Sequence, residues 1–183
     1  MSSEPEIISP GEVEGVYQKY KQDLWKFLLS LCRDSDEASD LFQGVFLKII
    51  EKAKTGYIQR NTLRSFLFTL TYNHFIESRR TRRWEQPGGD SITVAAPDRG
   101  VDESERILAV IEGVLAGDDQ LPQRSRDVLR LRFLAGMNIT DITRVMNISR
   151  PTVYSDLAAA LGVLRREFEA RGLTPELLGG SDS

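Results

Sequence analysis

The chain has 183 residues, is 40% hydrophobic and 28% charged, and carries 24 lysines and arginines against 27 acids, a net charge of -3. Those proportions exclude wholesale disorder and fit one ordinary domain or two small ones. A single cysteine, Cys32, excludes an intrachain disulfide and fits a reducing compartment, where it reads as a buried thiol. Met1 to Pro10 has no positively charged start and no apolar core, so it does not read as a signal peptide. No apolar run approaches the roughly 20 residues that a bilayer span requires, so direct membrane insertion is not expected.

The first helix is predicted to start at Ser9, which forms a capping box with Glu12, with Pro10 at the first helical position. Val13, Val16, Tyr17, Tyr20, Leu24, Phe27, Leu28 and Leu31 then recur at helical spacing. Asp34 to Glu37 opens a second helix with the stripe Ala38, Leu41, Phe42, Val45, Phe46, Ile49, Ile50 and Ala53, ended by Gly56. A third begins at Asn61 or Thr62 and runs through Leu63, Phe66, Leu67, Leu70 and Phe75 into the arginines near Arg83. Three apolar stripes enclose one core.

From Gln86 to about Val101 the periodicity vanishes into turn-forming sequence, Pro87-Gly88-Gly89-Asp90 and Ala96-Pro97-Asp98-Arg99-Gly100. This stretch is expected to be a mobile acidic linker. Charge is distributed unevenly around it. Arg60, Arg64, Arg79, Arg80, Arg82 and Arg83 face only Glu77, whereas the stretch from Glu85 to Glu105 holds six acids against Arg99.

Asp102 and Glu105 predict the cap of a fourth helix ended by Gly117, and Leu121-Pro122 opens a fifth ended by Gly136. Two closely spaced helices follow, about 140–146 and 150–170, separated by Asn147-Ile148-Ser149. That is the grammar of a DNA-binding helix-turn-helix. Asn147 tolerates the left-handed turn, Ile148 plugs the angle, and Ser149 caps the second helix. Its first turns then offer Arg150, Thr152, Tyr154 and Ser155 to a major groove. A plain helical hairpin has the same outline, and Asp156 near the presumed groove face opposes phosphate unless it pairs with a nearby arginine or reads a cytosine amino group.

On the third helix, Tyr72, Asn73 and Phe75 precede the arginine cluster, and Tyr57 lies in the loop before it. Rings that stack on bases, beside arginines that follow a backbone, suit separated DNA strands. Solvated arginines at a helix end and aromatics in a core are the bland alternative. The lone His74, with no second histidine and no cysteine pair, argues against a metal site. No cofactor is expected. Nor is there a glycine-rich phosphate loop or nucleophile elbow, so an enzyme is not expected.

In this order the two constellations resemble the extracytoplasmic-function sigma factors, which keep only sigma regions 2 and 4. Ala38 to Phe46 resembles the family's core-polymerase-binding helix, with Asp40, Gln43 and Phe46 in matching places. Leu63 to Asn73 is similar to its promoter-melting helix, and Leu121 to Leu131 with Ser149 to Val153 is similar to region 4. The resemblance implies an all-α fold of two small helical bundles joined by a flexible linker. Its divisions are a region 2-like domain at 9–84, the linker at 85–101, a region 4-like domain at 102–172 and a tail at 173–183.

It further implies docking on core RNA polymerase through Asp40, Leu41, Gln43, Phe46 and Lys48. The −10 element would be held by Tyr57, Arg64, Tyr72, Asn73, Arg79 and Arg80, and the −35 element by Arg150, Thr152, Tyr154 and Ser155. The expected partners are core polymerase, promoter DNA and an anti-sigma protein. The free protein is expected to be a cytoplasmic monomer. Departures from the family pattern are Gly44 in place of an acid, Phe66 where tryptophan is common, and Tyr154, Asp156 and Ala159 where arginines are frequent. A stand-alone helix-turn-helix regulator and a protein–protein adaptor are the rival readings.

Overall fold

A computed structural model describes residues 6–85, 103–117 and 120–173. Among these residues the chain forms seven α-helices: α1 (Val13–Cys32), α2 (Ser35–Lys54), α3 (Leu63–Glu85), α4 (Glu103–Ala116), α5 (Gln123–Phe133), α6 (Ile139–Met146) and α7 (Arg150–Ala170). The linker from residue 86 onward, the Asp102 cap and the tail from residue 174 onward lie outside the described residues.

The caps predicted at Ser9, Asp34 and Ser149 form, with one refinement. Pro10–Glu12 is a single 3₁₀ turn ahead of α1, and the Glu12 carboxylate accepts from the Ser9 N–H at 2.9 Å and the Ser9 hydroxyl at 2.8 Å. Those bonds, the backbone one foremost, and the Arg60 guanidinium hold the Glu12 carboxyl well below its ordinary range, at about 2. Arg60 also pairs with Glu6, and Ile7 bridges Gln59 in antiparallel fashion, so the leading strand of chain is pinned to the turn before α3. No sequence pattern pointed to that pairing. At α2, Asp34 Oδ1 accepts from the Glu37 N–H at 2.7 Å, a cap of about 1 kcal/mol.

The stripes of α1, α2 and α3 converge on one core in which Leu24, Phe27, Leu28, Val45, Ile49, Leu67 and Phe68 are fully buried. Phe27 and Phe68 meet edge to face at 5.2 Å between ring centroids. Tyr17, Trp25, Phe42 and Phe46 form a second aromatic group at the outer margin of α1 and α2.

A separate core joins α4, α5 and α7 through Val110, Val114, Leu129, Val163, Leu164 and Phe168. The helix-turn-helix residues Val128, Leu131, Ala135, Met137, Ile142, Val153 and Leu157 belong instead to the cluster that contains the first bundle's core. The two bundles therefore pack directly on each other, α1 against α4 and α5, and α3 against α6. A tether alone did not predict this contact.

The joint is polar as well as apolar. Arg33 Nη2 donates to the Leu115 carbonyl at 3.2 Å and Arg130 Nη2 to the same oxygen at 2.7 Å, while Arg126 Nη1 reaches the Gly117 carbonyl. Three guanidiniums thus gather at the carbonyl end of α4, where the helix dipole favours cations. Arg33 itself closes α1 with φ 60°, the left-handed conformation more usual for glycine or asparagine.

Candidate nucleic-acid interface

The helix-turn-helix is built from its turn outward. The Asn138 side chain caps α6 by accepting from the Asp141 N–H at 2.9 Å. Asn147 takes φ 53° and ψ 48°, so the chain reverses sharply after Met146. Ser149 Oγ then accepts from the Thr152 N–H at 3.3 Å and starts α7 with Pro151 in its first turn. Ile142 and Val153, both fully buried, fix the angle between the helices, with half-buried Ile148 packed beside them. These are the roles the sequence predicts for Asn147, Ile148 and Ser149.

The same arrangement decides which α7 side chains face outward. Tyr154 is 58% exposed, and Arg150 and Ser155 are also exposed, with Thr152 half-buried. Arg150 Nη2 donates to Thr140 Oγ1 on α6, which steadies the guanidinium at the mouth of the motif. Asp156 points the other way. It is buried, accepting from Arg124 Nε at 2.7 Å, Arg124 Nη2 at 3.2 Å and Ser125 Oγ at 2.8 Å. The carboxylate that looked hostile to phosphate instead locks α7 onto α5.

The second surface lies on α3 and the loop before it. Asn73, Arg79 and Arg80 are exposed, and the Arg79 guanidinium stands 5.6 Å from the Phe75 ring centre. Tyr57 is 64% exposed, with Lys52 Nζ 4.9 Å from its ring centre and Phe66 at 6.0 Å. These four side chains share access to solvent.

Tyr72 and Arg64 depart from expectation. Tyr72 is 5% exposed and its hydroxyl donates to Asp127 Oδ2 of α5 at 3.1 Å. Burial, and then the Asp127 charge, push that phenol far above its ordinary value, so it is neutral. Arg64 is bound by Asp23 Oδ2 at 3.1 Å and by the Ala135 carbonyl at 3.1 Å. Both side chains belong to the joint between bundles. The signal for Tyr72 was in the sequence: Phe68, Tyr72 and Phe75 continue a helical stripe, which is a core pattern.

The α2 surface also divides. Asp40 and Gln43 are exposed, and Lys48 Nζ donates to Glu77 Oε2 at 2.8 Å. Leu41, however, is 4% exposed and sits in the core, so it is a packing residue and not a contact surface. Phe46 is half-buried and meets Tyr17 edge to face at 4.7 Å. Leu47, 63% exposed, and Ile50, 38% exposed, supply outward apolar area instead. Leu47 was legible as an apolar residue lying off the stripe of its helix.

Gly44 has a packing reason. A Cβ there would stand 2.4 Å from His74 Nε2, so any larger residue would push the imidazole from its seat between α2 and α3. Burial, and next the Lys48 cation, lower the His74 pKa against the opposing pull of Glu77. Among the described residues no group of three or more histidines, cysteines and acids is placed to hold a metal, and no helix is long and apolar enough to cross a membrane.

Comparison with known proteins bears on both surfaces. Residues 16–85 match the family described as Sigma-70 region 2, and residues 119–166 match Sigma-70, region 4. The ECF RNA polymerase sigma factor SigM of Bacillus subtilis is 26% identical, the match covering 90% of this chain and 99% of that protein. The ECF RNA polymerase sigma factor SigL of Mycobacterium tuberculosis is 24% identical over 88% of this chain and 92% of its own. Among solved structures, the sigma factor RpoE in complex with the anti-sigma factor NepR, from Bartonella quintana, superposes with a TM-score of 0.65. It is 21% identical, with 85% of this chain and 98% of that one covered, a likeness of fold.

Proposed function

The chain belongs to the extracytoplasmic-function sigma factors of bacterial RNA polymerase, and from that premise we propose how its residues divide the work of initiation. Residues 9–84 act as the region 2 domain, 85–101 as the linker and 102–172 as the region 4 domain, with 173–183 a tail. The protein contributes binding and no chemistry of its own, and works in the cytoplasm as a monomer until it joins core polymerase.

Core polymerase is engaged by Asp40, Gln43 and Lys48, with Leu47 and Phe46 as the neighbouring apolar surface and Leu41 behind them as support. Gly44 leaves that edge without the acid common at its position. The −35 element is met by the outward face of α7, where Arg150 and Ser155 suit phosphate or base-edge contacts and Tyr154 adds a ring. A base of the −10 element, extruded from the duplex, is read by the Asn73 amide and stacked near Tyr57. Arg79 and Arg80 hold the adjoining phosphates. Capturing that base offsets part of an unstacking cost of a few kcal/mol. Bartonella quintana RpoE is found with an anti-sigma factor, and a comparable protein partner is proposed to hold this chain until it is needed.

The observation that carries the reading is the exposure of Asn73, Arg79 and Arg80 on one helix and of Arg150, Tyr154 and Ser155 on another, within the two matched regions. Run-off transcription with purified core polymerase tests it. Asn73→Ala is expected to reduce initiation while association with core is retained, and equal loss of both would refute a reading role. Arg79→Ala with Arg80→Ala is expected to flatten the salt dependence of promoter binding, since fewer counterions are displaced.

A further inference from the structure

We propose that the segment 6–12 ahead of α1 is a clasp that aims Tyr57: it holds the loop between α2 and α3 so that this ring is set for an unpaired base, with Glu6, Ile8 and Glu12 as positioning residues. The inference rests on the assignment of Tyr57 to the −10 element made above.

Three observations converge on it. Exposure alternates along the loop: Tyr57 is 64% exposed, Ile58 is fully buried, and Gln59 is exposed on extended backbone. Neighbouring side chains of an extended chain point to opposite sides, so whatever anchors Ile58 also directs Tyr57. The anchor is the segment 6–12. The Ile8 N–H donates to the Ile58 carbonyl at 2.9 Å, the Arg60 N–H donates to the Glu6 carbonyl at 2.8 Å, and both isoleucines are sealed in the first bundle's core. Next, the Arg60 side chain fastens the joint from outside, its Nε pairing with Glu6 Oε2 at 3.1 Å and its Nη2 with Glu12 Oε1. Finally, Ile7 Cγ2 lies 4.0 Å from the place where a Cβ of Gly56 would stand, so the segment also backs the left-handed turn that immediately precedes Tyr57.

The clasp acts on geometry more than on stability. Exposed ion pairs contribute little to folding, yet a loop that is already fixed loses less freedom when it captures a base. Electrostatics and positioning then predict opposite signs. Removing two acids beside Arg60 frees a cation, which by charge alone strengthens binding to a phosphate chain. As members of a clasp, the same two acids are needed for promoter opening.

The test is promoter opening by the full chain assembled with core RNA polymerase, read by permanganate reactivity of unpaired thymines. The promoter is first selected with the parent chain by run-off transcription from a randomised template pool. Glu6→Gln with Glu12→Gln removes both ion pairs and keeps an amide oxygen for the Ser9 cap. It should slow opening roughly fivefold to tenfold, the cost of ordering one loop side chain at capture, with core affinity and thermal midpoint at parental values. Opposed residues of a non-hydrogen-bonded antiparallel pair lie about 4.5 Å apart at Cα, within reach of a disulfide. Adding Ile7→Cys and Gln59→Cys to the double variant should therefore restore opening when oxidised and lose it again when reduced. Opening at or above the parental rate in the double variant, a matching loss of core affinity, or no recovery on oxidation would each overturn the clasp. Tyr57→Ala separates this outcome from failure of the reading beneath it. Normal opening by Tyr57→Ala sinks the base-capture role and the clasp with it. Slowed opening by Tyr57→Ala beside a normal Glu6→Gln/Glu12→Gln chain sinks the clasp alone, and a pool that yields no promoter sinks the initiation reading on which both stand.

Discussion

The two bundles reach a buried interior by opposite routes. The first is aliphatic and aromatic throughout, with Leu24, Phe27, Leu28, Leu67 and Phe68 out of solvent on three amphipathic helices. The second runs α5 through its middle, and that helix buries Ser125, Arg126, Asp127 and Arg130 alongside Val128, Leu129 and Leu131. Arg130 is 1% exposed, its guanidinium shared between Asp127 and the Leu115 carbonyl. An apolar core is held by area, is forgiving of direction, and loses stability in proportion to the volume removed. A buried ion pair is held by geometry. Desolvation pushes the Asp127 carboxyl up and the Arg130 guanidinium down, and the mutual attraction of the two opposes both shifts.

The largest effects should come from breaking each interior singly. Asp127→Ala leaves a guanidinium buried without its carboxylate and is expected to cost about 3–5 kcal/mol. Phe27→Ala should cost a similar amount, about 3–5 kcal/mol, through the cavity it leaves. Urea denaturation distinguishes them when the partners are replaced together. Asp127→Leu with Arg130→Met should recover most of the single loss, since a buried pair exchanged for apolar groups is often near neutral. Phe27→Ala with Phe68→Ala should lose more than either alone. Failure of the polar pair to recover would mean that the two interiors obey one rule.

A smaller effect probes crowding in the first bundle. Gly44→Ala forces a methyl against His74 and is expected to cost about 1–3 kcal/mol, with most of the loss removed in the double variant Gly44→Ala/His74→Ala. Thermal melts of the four chains close that cycle. In the second bundle, Asp156→Asn weakens a charge-assisted bond to the half-exposed Arg124 and should cost about 1–2 kcal/mol. Its larger signature should be reduced duplex binding, because α7 is no longer fixed against α5.

The smallest expected effect is a pH dependence. His74 has its pKa lowered by burial and by Lys48, whereas in the unfolded chain it titrates near 6.5. Below that pH the unfolded state takes up a proton the folded state resists, so stability falls as pH drops from about 6.5 toward the folded value and is flat above. The difference between the parent and His74→Gln, followed by urea midpoint from pH 7.5 to pH 5.5, should carry that slope. A difference that grows above pH 7 would contradict the sign.

The contrast between the bundles also explains how far the sequence could be read. Stripes such as Leu24–Phe27–Leu28–Leu31 announce α1, and Ser9, Asp34, Asn147 and Ser149 mark ends, because caps and amphipathic faces are local. The polar interior of α5 leaves no such trace. Arginine and aspartate read as surface residues until a neighbour forty or more positions away supplies the partner, as Tyr72 does for Asp127. Tyr72 itself was assigned to stacking on a base because tyrosine serves packing and recognition with one side chain. Whether Arg64 meets DNA or the Ala135 carbonyl depends on how the bundles meet, which no local pattern encodes. On the recognition helix the outcome was nearer, since the pairing of Asp156 with an arginine was among the options its position allowed.

The close seating of His74 on Gly44 ties together two positions on different helices. With an imidazole filling the gap, a carboxylate brought to position 44 by a single substitution arrives together with a displaced ring. The same acid beside a smaller residue at 74 meets no such neighbour, so what one helix tolerates on its outer edge is set by a side chain of another.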